Sequence, residues 1–246
     1  MSDSARTIPS DRLNHPGCAL SFALMESSSS IAVRELPLFP LPEVVLFPSQ
    51  PLPLHIFEFR YRILMNTILQ SDRRFGVLSI DPQTGEIADV GCCAEILRCQ
   101  RLEDDRMKIM TLGQQRFRVL EYVRRKPYRV GLVEWIEDKP TTENLRPLAK
   151  DLTVLLKDVV RLSAKLTDQI IDIPEEIPTT PLELSYWIAS KLYGAAGEQQ
   201  TLLECQDTGD RLRFEEELLE STRSHLAART ALKDVLGSSE VLEEDD

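Results

Sequence analysis

Proline recurs at positions 37, 40, 42, 48, 51 and 53, and no α-helix can run through that stretch. Each proline lacks an N–H and holds φ near −65°, and the residue before it is pushed towards extended backbone. Residues 36–53 must therefore be extended loop or strand, with the prolines on edges where no ladder donor is needed. Leucine and phenylalanine fill the positions between them (Leu36, Leu38, Phe39, Leu46, Phe47), so the stretch is also too apolar to be a solvated linker.

After the prolines the period changes. Phe57, Tyr61, Leu64, Met65, Ile68 and Leu69 fall at helical spacing, with Arg60, Arg62 and Asn66 between them, which predicts an amphipathic helix from about Glu58 to Gln70. From Phe75 to Asp138 the signals are those of strands. Phe75–Ile80 runs into the turn sequence Asp81-Pro82-Gln83-Thr84-Gly85. Val90–Leu102 and Met107–Leu112 flank the polar tip Glu103-Asp104-Asp105. Phe117 and Val119 alternate with Arg116 and Arg118, and Tyr128 to Ile136 closes the series. Short strands at hairpin spacing predict an antiparallel β-barrel or sandwich. Beyond Pro140 the pattern is helical: Leu145–Leu166, Leu182–Tyr193 ended by Gly194, Glu198–Glu204, and Leu212–Leu236 with Leu212, Leu218, Leu219, Leu226 and Leu232 on one side. The fold class expected is α+β. A disordered segment over 1–30 precedes a β-barrel part over 31–140, a helical bundle over 141–237 and an acidic tail over 238–246.

Charge separates the two parts. Net charge is −11. Residues 31–140 carry 16 Lys+Arg against 15 Asp+Glu, whereas residues 141–246 carry 11 against 22. The acidic half would repel a phosphate backbone, which makes nucleic acid a poor first guess. One segment keeps an RNA-binding alternative open: Arg116-Phe117-Arg118 through Arg124-Arg125-Lys126-Pro127-Tyr128-Arg129 interleaves cations with aromatics. Its plainer reading puts Phe117, Val119 and Tyr128 inside the barrel and the arginines outside.

Cysteines 18, 92, 93, 99 and 205 are odd in number and form no C-x-x-C, so neither a disulfide framework nor a zinc site is expected. Adjacent Cys92 and Cys93 point to opposite faces of a strand. No apolar run approaches the ~20 residues that cross a bilayer. Cys18–Leu24 is too short for an export signal, and Met25, before Glu26 and four serines, is a candidate internal start. A cytoplasmic protein without membrane contact is expected.

Catalytic patterns are missing. There is no G-x-x-x-x-G-K-[ST], H-E-x-x-H, G-x-S-x-G or S-x-x-K, and the three histidines, His15, His55 and His225, are dispersed. Asp207-Thr208-Gly209 spells an aspartic-protease triplet, but in a single copy between helical segments, where Asp207 or Thr208 capping the last helix explains it better. Ser190-Lys191 cannot act as a Ser–Lys dyad, because neighbours on a helix point about 100° apart. No cofactor, metal or catalytic residue is expected.

Leu36-Pro37-Leu38-Phe39-Pro40, Leu46-Phe47-Pro48, the string from Leu52 to Arg62, Phe75-Gly76-Val77, Val90-Gly91-Cys92, Gly113–Val119 and Pro127-Tyr128 resemble, in this order, the N-terminal domain family of Lon proteases. Gln199–Glu204 followed by Arg211-Leu212 is similar to the family's bundle sequence. The resemblance covers about residues 33–236 and is nearest to stand-alone members and the Lon-like domain of cereblon-type receptors. It implies a PUA-like pseudo-barrel joined to a helical bundle. It also implies binding of proteins or unfolded polypeptide segments, as an adaptor or substrate-recognition module linked to proteolysis or protein quality control. The chain ends where a full Lon would continue into its ATPase, so recognition without catalysis is expected. In Lon-type proteins the start of the first helix contributes to substrate capture. Phe59, where the family usually has proline, falls off the apolar stripe, so an exposed aromatic beside Glu58, Arg60 and Arg62 is expected to form a contact patch at that helix start.

Overall fold

The computed structural model describes residues 33–167, 177–192 and 194–240. The expectations for residues 1–30, Met25, Tyr193 and the last six residues lie outside the described residues. Among the described residues, six strands and five helices follow one another as β1 (Val33–Pro42), β2 (Pro51–Ile56), α1 (Phe59–Ile68), β3 (Arg74–Ile80), β4 (Val90–Arg101), β5 (Met107–Arg124), β6 (Arg129–Ile136), α2 (Arg146–Thr167), α3 (Pro181–Ala189), α4 (Ala196–Glu204) and α5 (Thr208–Glu240). The class is α+β, with the strands before the bundle helices.

The strands form one sheet in the order β2-β5-β4-β3-β1-β6, and β5 pairs again with β6 to close a barrel. Closure depends on the length of β5. Met107–Leu112 pairs with β2 on one side, whereas Arg116–Arg124 pairs with β6 there instead. All pairings are antiparallel except β1 with β3, which run parallel. The intervening β2–α1 crossover carries the chain back to the starting end, a connection that hairpin spacing alone does not reveal. β1 changes partner at Leu38: Val33–Leu38 lies on β6 and Leu38–Pro42 on β3. Each half is thus an edge, which gives Pro37, Pro40 and Pro42 an unpaired side.

Each face of the sheet carries a core. Phe39, Val77, Cys92, Ala94 and Ile96 pack with Tyr61, Leu64, Met65 and Ile68 of α1, whereas Leu36, Leu38, Leu78, Cys93, Phe117 and Val133 gather on the other face. Cys92 and Cys93 therefore belong to different cores, as strand alternation requires. Close packing needs glycine at the crossing of the 43–50 loop over β5. A Cβ on Gly113 would lie 2.0 Å from the Phe47 carbonyl oxygen, and the backbone there is pinned by Ser49 N–H to Gly113 O and Gly113 N–H to Gln50 O, both 2.8 Å.

The helices dock on the barrel through a mixed seam. Phe47, Val90 and Ile136 meet Tyr186, Ala189, Leu202 and Leu203. Gln200 donates from Nε2 to Val90 O at 3.1 Å. Beside this layer, Asp138 is bonded by Arg116 of β5 and Arg211 of α5 and accepts from the Thr208 hydroxyl at 2.5 Å. Arg116 also donates to the carbonyls of Leu203 (2.7 Å) and Cys205 (2.6 Å), and both guanidinium groups face the Tyr186 ring. The sequence expectation that Arg116 lines the outside of the barrel is corrected. It is buried because the bundle covers this end of β5 and supplies two carbonyls, while Asp138, just past β6, supplies the carboxylate.

One further helical expectation changes, and the cap expected at Asp207 or Thr208 falls to Asp207. Leu232 is 63 % exposed, so the apolar side of α5 reaches Leu212 and Leu219 but not that far along the helix. Asp207 caps α5 through Oδ1 and the Asp210 N–H (3.0 Å), while Thr208 turns its hydroxyl to Asp138.

Candidate functional site

Strand alternation places one side of the β2–β5–β4 arm in solvent. Register aligns Pro53, Met110 and Arg98 in one row across the three strands and His55, Lys108 and Gln100 in the next. All six are exposed. Together with Leu54, Cys99 and Ile109 they line an open groove of about 810 Å³. The row continues past the end of β2: Phe57 follows His55 by two residues on the same side, with ring centroids 6.1 Å apart.

The helix then begins with its aromatic residue outward. Phe59 is 70 % exposed and Phe57 62 % exposed. The sequence reading counted Phe57 in the buried stripe of α1. That is corrected, because helical backbone starts only at Phe59, after an extended Glu58, and the buried stripe is Tyr61, Leu64, Met65 and Ile68. Both phenylalanines are therefore exposed, and Phe57 is a candidate residue that the sequence expectation does not include. Its signal was the alternation Pro51, Pro53, His55, Phe57, which is strand period rather than helix period.

The other residues marked from sequence gather around this start. Glu58 accepts from Arg60 Nε at 2.8 Å. Arg60 lies over the Tyr61 ring at 4.5 Å and Arg62 over the Phe59 ring at 5.6 Å. Arg62 also reaches the Asp105 carboxylate of the β4–β5 tip at 4.0 Å, and Arg101 donates to Asn66 Oδ1 at 2.6 Å, so the hairpin arm is tied to the helix. The result is one surface, from the groove through Phe57 to Phe59, with exposed apolar side chains between separated cations. Exposed aromatics and methionine flanked by charge suit contact with apolar segments of another chain.

A second feature adjoins it. The turn between β5 and β6 brings Arg125, Lys126 and Arg129 beside Arg60, around a pocket of about 250 Å³ edged by Tyr61, Pro127 and Tyr128. Burial raises the Tyr61 phenol, against the nearby charges of Arg60 and Arg129.

Among the described residues, no side-chain hydrogen bond or ion pair engages His55 or Cys99. Ser190 donates to Trp187 O (2.7 Å) and Gln50 Oε1 (3.1 Å), while Lys191 lies over the Trp187 ring at 5.4 Å. Among the described residues, no group of three or more His, Cys, Asp or Glu could hold a metal ion, and no helix is long and apolar enough to cross a membrane.

Comparison with known proteins gives a consistent picture. The family model of the ATP-dependent protease La (LON) substrate-binding domain matches residues 35–221. Lon protease 2 of Myxococcus xanthus is 30% identical over 199 residues, covering 78% of this chain and 24% of the relative; the Lon protease of Anaeromyxobacter dehalogenans is 28% identical over the same length. The chain thus spans about a quarter of the length of the curated relatives it matches. Among solved structures, a Lon N-terminal domain protein from Xanthomonas campestris aligns with a TM-score of 0.55 at 28% identity, covering 76% of this chain and 98% of the other. The N-terminal domain of Mycobacterium avium complex Lon protease shares the fold, with a TM-score of 0.57 at 18% identity over 78% of this chain and 98% of that one.

Proposed function

Because this chain belongs to the Lon substrate-binding domain family, we propose that it recognises exposed segments of unfolded or partly folded polypeptides and works as a non-catalytic recognition module or adaptor linked to proteolysis. Contact is made on the surface formed by the β2–β5–β4 groove, Phe57, and the start of α1 with Glu58, Phe59, Arg60 and Arg62. The observation that carries this reading is the exposure of two consecutive-but-one phenylalanines beside a groove that already holds Pro53 and Met110. A folded protein gains nothing by leaving that much apolar surface in water unless something covers it. The cations around the patch select among apolar segments rather than adding much affinity. The reading places the protein in the cytoplasm, where thiols such as Cys99 stay reduced.

The test is fluorescence anisotropy with a labelled, reduced and alkylated protein that cannot refold. Binding should weaken roughly tenfold in Phe57→Ser/Phe59→Ser, the size expected for truncating exposed aromatic anchors. Unchanged affinity would remove the site, and no binding by the unaltered chain would remove the function. Turnover of ATP or casein by the purified chain would overturn the non-catalytic part.

A further inference from the structure

The pocket between the β5–β6 turn and the start of α1 concentrates positive charge that the fold does not neutralise. Arg60, Arg125, Lys126 and Arg129 surround it, and Arg124 stands next to it over the Tyr128 ring at 4.9 Å. Like charges gathered at this density repel, and such a cluster persists where rings, counter-charges or a ligand offset the repulsion. The rings are present: Arg60 faces Tyr61, and Arg125 and Arg129 face Tyr122 at 5.5 and 5.6 Å. The counter-charge is sparse. Glu58 pairs with Arg60, and the charge of Asp89 is felt by the Tyr122 phenol. Among the described residues, no carboxylate lies within ion-pair distance of Arg124, Arg125, Lys126 or Arg129. The first turn of α1, which opens here, has neither an acidic residue nor a side-chain cap, so its amide end adds to the same field.

We propose that this pocket takes a carboxylate of the bound polypeptide, either an acidic side chain or the C-terminal carboxylate, and so selects segments that place an acid next to apolar residues. The inference rests on the polypeptide-binding reading above, because Arg60 sits between the pocket and Phe57 and Phe59. Guanidinium groups present paired donors that match a carboxylate, and at the rim of an apolar patch such a bond is less screened than in open water. Nucleic acid fits less well. Tyr61 and Tyr128 are buried with a guanidinium on each ring, which leaves little face for a base to stack on. The pocket has room for one small anionic group, and the chain as a whole, at a net charge of −11, repels an extended polyanion.

Rhodamine-labelled peptides sharing one aromatic and apolar core decide the matter. One is neutral and amidated, one is amidated with an internal glutamate, and one is neutral but ends in a free carboxylate; oligouridylate is the fourth probe. The unaltered chain should bind at least one acid-bearing peptide roughly tenfold more tightly than the neutral one. The preference should shrink with added salt and disappear in Arg125→Gln/Lys126→Gln, whose exposed positions make folding insensitive to the change, while the neutral peptide binds that variant as before. Which acidic peptide gains identifies the source of the carboxylate. Equal binding of neutral and acidic peptides, or equal weakening of both in the variant, overturns the pocket and leaves the polypeptide reading intact. Binding of no peptide overturns both. Oligouridylate binding that the same variant abolishes overturns the carboxylate in favour of RNA.

Discussion

Arg211 of α5 holds the carboxylate of Asp138, with Nη2 to Oδ2 at 2.5 Å and Nη1 to Oδ1 at 3.3 Å, at the seam where the bundle meets the barrel. Burial alone would raise the Asp138 carboxyl. The hydrogen bond and charge of Arg211, the Thr208 hydroxyl and the charge of Arg116 outweigh burial and hold it below the usual range. Arg116 and Arg211 are both fully buried, so this one carboxylate balances two desolvated cations.

Asp138→Ala should therefore destabilise the protein by about 3–5 kcal/mol, because it strands two buried guanidinium groups without their counter-charge. Urea denaturation at pH 7 measures this. The sign with pH follows from the depressed pKa: the contribution of Asp138 is complete above its unfolded value, near 4, and is lost as pH falls through the lower folded value. The difference between Asp138→Ala and the unaltered chain should accordingly narrow on acidification below about pH 4.

Glu215, one turn beyond Arg211, behaves in the opposite way. Both carboxyl oxygens are buried without a hydrogen-bond partner among the described residues. Burial pushes its pKa well above the ordinary value, only partly countered by the Arg211 charge, because the donors of Arg211 are engaged by Asp138, Ser185 and the Cys205 carbonyl. The unfolded chain ionises Glu215 above pH ~4.3 while the folded chain keeps it protonated, so this residue costs stability as pH rises from 4 towards its folded pKa. Glu215→Met should stabilise the protein at pH 7 by about 1–3 kcal/mol, with the gain fading near pH 4. Chemical denaturation at the two pH values checks both parts.

Gly113→Ala should lower stability by about 1–3 kcal/mol. The added methyl meets a backbone carbonyl at 2.0 Å, and the loop carrying that carbonyl cannot retreat without giving up its two hydrogen bonds to Gly113. A thermal melt measures the loss, and a variant as stable as the parent would contradict the packing described at this crossing.

The thiols should label in a fixed order. Cys99 is exposed on the groove, whereas Cys92 and Cys93 are buried; burial drives both thiols up, Cys93 to about 11. Iodoacetamide on the native protein should modify Cys99 before Cys92 and Cys93, which stay untouched until the chain unfolds. Mass spectrometry reads the sites, and a bound polypeptide should slow alkylation of Cys99.

Much of this was visible in the sequence because local rules fix it. The prolines of β1 and β2 barred helix, the stripe Tyr61, Leu64, Met65 and Ile68 required one, and Asp81 turns the chain by accepting from the Gln83 and Thr84 amides. The failures come from tertiary context. Phe57 fits a helical period and a strand period equally well in isolation, and only the point where Glu58 breaks the helix decides between them. Arg116 looks like its neighbour Arg118 in the alternation of β5. The difference between them is Asp138, 22 residues away, together with the two carbonyls of the bundle, which no strand pattern encodes. The parallel contact between β1 and β3 likewise depends on a crossover rather than on either strand's composition.

The prolines of β2 also set how a visitor can be held. β2 ends the sheet, so one side of it is open, and proline sits in a paired strand where its missing proton faces away from the neighbour. Positions 51 and 53 therefore strip donors from the free border, and an incoming strand cannot be stitched on there. On the proposed function, a guest polypeptide on this surface is therefore gripped by its side chains rather than by backbone pairing, and can be let go.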